Sequence, residues 1–287
     1  MIDWSSVLAA RGRLVWVAAG ALCLVVALVL LVSVEHKVQT AEAAVGGYIH
    51  DLGSPDTLDI SALEGELVRI SGTPTLPTPT TDPQFGVHAD TPVLTRKVEM
   101  SQWHEIEYGG GQPSYQRDWL SYNVDSSQFK RQRGHTNPGP MPFQGRRFQA
   151  KDVRIAGLKL SPALIYVIPG EAPFPPQLSS MPANLAATFA LRDGMLWSNT
   201  VAGSPQLGDL RVSWSIVPKH VLTIVARVKN GELVPASHLP GAGFALFVGD
   251  VSLDVLMPGV PRPPSKTWLW RSLAVLLAWL GCLLVVV

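Results

Sequence analysis

Charge is scarce in this sequence, and cysteine is scarcer. Lys, Arg, Asp and Glu together make up 16% of the 287 residues, against about 25% in an average soluble protein. The two cysteines, Cys23 and Cys282, both fall inside long apolar runs. The stretch between those runs has none, which excludes disulfides and Cys-ligated zinc there. No Asn-x-Ser/Thr acceptor occurs either, so N-glycosylation cannot mark a lumenal face. A net charge of +1 gives no reason to expect a nucleic acid partner.

Catalytic motifs are missing as well. "HEIEY" (His104 to Tyr108) puts a tyrosine where a zinc protease needs its second histidine, so that metal site fails. Gly109 to Gly111 lack the Lys-Ser/Thr that completes a phosphate loop. There is no Gly-x-Ser-x-Gly elbow. Without converging nucleophile, base and orienting group, neither an enzyme nor a cofactor is expected.

What the sequence does have is apolar length. "LVWVAAGALCLVVALVLLVSV", residues 14–34, is long enough at about 1.5 Å per residue to cross a hydrocarbon core of about 30 Å. It exceeds a signal-peptide core, and "AEAA" (residues 41–44) lies well downstream of it, so an uncleaved anchor is expected. Arg11 and Arg13 precede the run and only Lys37 follows closely. The positive-inside rule then places residues 1–13 in the cytoplasm and the next domain outside it. Arg262, Lys266 and Arg271 argue the other way ahead of a second apolar run, but the first span usually dominates. That second span is read as 268–287, truncated at Val287.

Between the anchors, 46–265 reads as a mainly β extracytoplasmic domain, with possible subdomains 46–160 and 161–265. "GELVRISG", "GMLW", "DLRVSWSIV" and "GFALFV" are strand-like, and "TPTLPTPTTDP" (73–83) is an extended loop because proline cannot donate to a ladder. In "RKVEMSQWHE" (96–105), Val98, Met100, Gln102, His104, Ile106 and Tyr108 share one strand face, and Lys97, Glu99, Ser101, Trp103, Glu105 and Glu107 share the other. After "GGGQP" the strand resumes as "SYQRDWLSYNV", a hairpin whose simplest register sets Tyr108 against Tyr115 and His104 against Trp119. His104 is expected to pack on an aromatic neighbour. Asn230-Gly231 is the strongest short hairpin signal, and "DVSLDVLM" (250–257) suggests a short helix capped by Asp250. An internal echo pairs "EGELVRISG…PQFG…RKVEMSQW" with "DGMLWSNTV…PQLG…LRVSWS".

Lys130 to Lys159 holds eight basic residues and one acid. It is either a solvated face or a patch for anionic lipid or a partner, with Lys130, Arg131, Arg133, Arg146, Arg147 and Lys151 as contacts. A different class of reading makes His104, Glu105 and His135 the lining of a ligand-binding or hydrolytic pocket, which requires the three within about 5 Å of one another.

Seven motifs in order, "EGELVRISG", "DPQFGVH", "RKVEMSQWHE", "SSQFKRQRGHTNPGPMP", "GDLRVSWS", "LTIVARVKNGELVP" and "KTWLWR", resemble the transmembrane protein 43 (LUMA) family from about Glu64 to Arg271. The resemblance implies one N-terminal span, a large extracytoplasmic or lumenal domain and several C-terminal spans. It implies a scaffold that organises membrane protein complexes in a periplasm, or in the endoplasmic reticulum and nuclear envelope, and no catalytic residues. Partners are then the lipid bilayer, other membrane proteins and a second copy of the chain. The turns "GHTNP" and "DPQFGVH" read as structural, with Asn137 and His135 bonding to backbone.

Overall fold

The computed structural model describes residues 4–45, 47–107, 109, 111–198, 205–258 and 266–286. The helices are α1 (Trp4–Val45), α2 (Pro162–Tyr166), α3 (Ala183–Thr188), α4 (Leu253–Leu256) and α5 (Thr267–Val286). The strands begin with β1 (Ile49–Gly53), β2 (Leu67–Gly72), β3 (Thr80–Asp82), β4 (Val87–Ala89), β5 (Val93–Ile106), β6 (Ser114–Leu120), β7 (Arg146–Gln149) and β8 (Arg154–Ile155). They continue with β9 (Leu158–Leu160), β10 (Ala172–Pro173), β11 (Ala190–Arg192), β12 (Met195–Trp197), β13 (Leu210–Val217), β14 (Leu222–Lys229), β15 (Glu232–Val234) and β16 (Ala245–Val248). Two compact units result: Met1–Asp51, Ala236–Phe244 and Ser252–Val287 form one, and Leu52–Pro235 with Ala245–Val251 form the other.

The first unit is built on α1 and α5, both long and apolar enough to cross a membrane. Helix α1 does not stop where its apolar run stops. Its 42 residues cover about 63 Å at roughly 1.5 Å per residue, carrying Glu35, His36 and Lys37 on past the span. Residues Gly20, Ala27, Val34 and Ala41 are buried at intervals of seven, as are Ala274 and Gly281 on α5, the repeat of a helical seam. A Cβ on Gly20 would stand 2.6 Å from the Gly281 carbonyl oxygen, and one on Gly281 would stand 2.8 Å from that of Gly20. The two backbones therefore touch, the close approach that small residues permit between membrane helices. At the other end of the seam Arg271 donates from Nε and Nη2 to the Glu35 carboxylate at 2.7 and 3.1 Å, so the helices run antiparallel.

The second unit is β-rich. Its first sheet has the order β1-β2-β14-β15-β9-β8, with β16 also beside β14, and its second has the order β11-β12-β13-β5-β6, with β10 on β13 and β7 on β5. Both sheets take strands from either side of residue 160: β2 pairs with β14, and β5 pairs with β13. No boundary at 160/161 separates the sheets. The internal echo is likewise not a structural repeat, because β2 and β12 sit in different sheets. What the echo does share is a left-handed glycine: Gly86 and Gly208 close "PQFG" and "PQLG" with φ of +67° and +89°.

Strand β5 is the spine of the second sheet. Its even positions Leu94, Val98 and Met100 join Leu210, Val212 and Trp214 of β13 in a core with Phe85, Leu185 and Phe189. Each such side chain contributes about 1.5–3 kcal/mol by leaving water. Arg96 lies on the same buried face and is neutralised by Asp82.

Some local expectations are corrected. The Pro/Thr-rich loop ends in a strand, β3, paired with β4. The short helix α4 starts after Ser252, whose side chain makes no capping bond, rather than at Asp250, and Asp250 accepts from Arg69. The Asn230-Gly231 hairpin forms as expected, with Lys229 opposite Glu232 and φ of +53° and +71°, a type I′ turn.

Candidate functional site

Beyond the end of β13, one edge of β5 would be left with open backbone groups, a ready template for unwanted pairing. Loop atoms close it. Ser101 donates its amide to Asp209 and accepts from Gly208, both at 2.9 Å. The Asn137 side chain then stands in for a strand: Oδ1 accepts from the Trp103 amide at 2.6 Å, and Nδ2 donates to the Trp103 and Val124 carbonyls at 3.0 and 3.2 Å.

The same loop clasps the outward face of the β5–β6 hairpin. Glu105 lies opposite Tyr115, and Tyr115 donates its hydroxyl to Glu105 Oε2 at 2.5 Å. That oxygen also accepts the Lys130 amide at 2.8 Å, and the Tyr115 hydroxyl accepts the Arg131 amide at 2.8 Å. Burial first, then the hydrogen bond to Glu105, pushes the Tyr115 phenol above its ordinary pKa. His135 stacks on Tyr115 at 3.9 Å and 14°, sets its edge against Trp103 at 4.9 Å, and bonds through Nδ1 to the Arg131 carbonyl at 3.1 Å. The structural reading of "GHTNP" is what the geometry bears out.

This arrangement takes the His104–Glu105–His135 pocket apart. Glu105 and His135 are both tied to Tyr115, but His104 alternates to the opposite face of β5. Its Nδ1 lies 3.6 Å from Asp118 Oδ2. It pairs with Gln116, not Trp119, which lies opposite Ser101. The register is offset by three residues from the simplest one because the loop is longer than a tight turn. Tyr108 lies outside the described residues. Among the described residues no ring stacks on His104, contrary to expectation, and no three His, Cys, Asp or Glu side chains gather to hold a metal.

The basic segment is divided rather than gathered. Lys130 pairs with Glu107 at 2.7 Å, and Arg131 donates to Gln112 at 2.9 Å, both at the hairpin end. Arg133 is exposed beside them. Arg146 and Arg147 lie on β7 opposite Arg96 and Thr95, with Arg147 over the Tyr166 ring. Glu105 lies nine positions along β5 from Arg96, about 30 Å at roughly 3.3 Å per residue. Tyr115, which joins Glu105 to His135, is the residue that the sequence reading missed. Only the hairpin register could have revealed it.

The profile described as transmembrane protein 43 matches residues 98–287, from β5 through α5. The chain belongs to the transmembrane protein 43 family. Among curated members it is 32% identical over 244 residues to transmembrane protein 43 of Homo sapiens and 31% identical to that of Rattus norvegicus, covering 76% of this chain and 60% of each relative. It is 26% identical over 236 residues to the transmembrane protein 43 homolog of Drosophila melanogaster. The chain thus spans about three fifths of the length of these family members. No solved structure matches it. Membership makes this a membrane protein with two candidate spans, and the resemblance expected from the seven motifs is established.

Proposed function

We propose that the protein is a membrane-anchored scaffold whose β unit lies on the extracytoplasmic side, in a periplasm or in the lumen of the endoplasmic reticulum or nuclear envelope. There it holds other membrane proteins, or a second copy of itself, at the hairpin end of its second sheet. The observation that carries this reading is the clasp around Glu105 and Tyr115. Glu105, Tyr115, His135 and Asn137 each bond a backbone group there, so the clasp is built to hold a surface still. What it holds out is Arg131 and Arg133, while Glu107 neutralises Lys130. A preorganised basic, aromatic-backed surface suits protein recognition, because little ordering cost remains to be met on binding. The orientation rests on Arg11 and Arg13 preceding α1's apolar run. Arg146, Arg147 and Lys151 form a second, separate basic set that would meet anionic headgroups.

The test uses intact membranes. A photo-crosslinking residue at Arg133 is expected to give discrete protein adducts, and the same residue at exposed Glu171 is expected to give none. Arg131→Gln should weaken the adduct, and Arg146→Gln should not. Adducts to lipid alone, or equal adducts from both positions, would remove the scaffold reading.

A further inference from the structure

Where α1 emerges past its apolar run, Leu30, Ser33, Val34 and Lys37 fall at positions i, i+3, i+4 and i+7 of one helical stripe. With Trp270 of α5 they line a laterally open recess of about 310 Å³. Its lining is almost wholly apolar, with Ser33 and the stem of Lys37 among the residues that form it. The recess sits at a defined depth. The Glu35–Arg271 pair beside it and the exposed rings of Trp268 and Trp270 mark the level where membrane helices meet headgroups.

Charge at that level is unevenly matched. Arg271 engages both oxygens of Glu35, which leaves Lys37 without a carboxylate partner among the described residues. A lysine on a flexible stem reaches from the helix wall toward the interface. The result is an apolar slot beside a Lys37 cation that no carboxylate contacts among the described residues. We infer that this recess is a binding site for a phospholipid with an anionic headgroup, its acyl chain lying against Leu30, Val34 and Trp270 and its phosphate region meeting Lys37. A zwitterionic lipid fills the slot equally well but gains less at Lys37, so the site selects by headgroup charge. A single cation near such a surface favours the anionic lipid by about fivefold.

The test uses the full chain purified in mild detergent, with native mass spectrometry reading lipid retained from an equal mixture of phosphatidylglycerol and phosphatidylcholine. The unaltered protein should retain phosphatidylglycerol by about fivefold over phosphatidylcholine. Lys37→Gln should retain the two equally. Leu30→Trp, which fills the floor from a position outside the Gly20–Ala27–Val34–Ala41 repeat, should lose both lipids while its far-ultraviolet circular dichroism stays unchanged. Arg13→Gln, at the far end of the apolar run, should keep the preference. Equal retention by the unaltered protein, a preference that survives Lys37→Gln, full retention by Leu30→Trp, or a loss in Arg13→Gln equal to that in Lys37→Gln would each overturn the inference.

Discussion

Arg96 donates from Nη1 to both carboxylate oxygens of Asp82, at 2.9 and 3.0 Å, inside the core of the second sheet. Asp82 is wholly shielded from solvent and Arg96 is 4% exposed. Neither charge is left short of partners. Trp214 donates to Asp82 at 3.0 Å, Arg96 donates from Nε to the Gln144 carbonyl at 3.0 Å, and the guanidinium lies over the Phe85 ring at 4.9 Å. One ion pair thus ties β3, β5, β13 and the loop before β7 together.

Removing one partner should leave the other charged and buried. Asp82→Ala is expected to cost about 3–5 kcal/mol of β-unit stability, and adding Arg96→Met should recover much of it. Denaturant unfolding followed by tryptophan fluorescence measures both. A double variant no better than the single one would mean that the network does more than balance charge.

Glu99 should set part of the acid limit. Burial pushes its carboxyl up, but hydrogen bonds from Arg211 and Lys97 outweigh burial and hold it below its ordinary value. Because the folded pKa lies below the unfolded one, its stabilisation is present above about pH 4.5 and is lost as pH falls toward the folded value. Glu99→Gln should lower the melting temperature at pH 7 and flatten its fall in acid. A parallel fall in both proteins would assign the acid limit to other carboxylates.

Asn137→Ala removes three hydrogen bonds to the backbone of the β5 edge and loop. A loss of about 1–3 kcal/mol is expected, since Trp103 is then left with unsatisfied backbone groups. Hydrogen exchange should show the Trp103 amide opening first.

Gly231→Val should cost about 1–2 kcal/mol, because a β-branched residue resists the positive φ of a type I′ turn. An unchanged melting temperature would be at odds with that turn.

Orientation has its own readout. Gly139 is exposed, and a side chain there meets nothing within 4 Å, so Gly139→Cys should fold normally. In a background lacking Cys23 and Cys282, it should react with a membrane-impermeant thiol reagent supplied from the extracytoplasmic side. Labelling only from the cytoplasmic side would reverse the topology.

The sequence by itself determined the elements whose signal is local. Residues 14–34 announce a membrane helix because an apolar run of that length matches the thickness of a hydrocarbon core. Asn230-Gly231 announces its turn because few residue pairs tolerate positive φ twice. The motifs carried the family because their order survives without any knowledge of contacts. Only the tertiary structure decided which side chains meet across distance. Nothing local shows that Arg96 is buried until Asp82 arrives from 14 positions away. His104 and Glu105 read as one cluster until strand alternation sends them to opposite faces. Tyr115 was invisible as the link to His135 because a long hairpin loop leaves the register open, and side-chain pairing follows from the register. The packing of Gly20 on Gly281 was equally hidden, since no local pattern says which of two apolar helices will face the other.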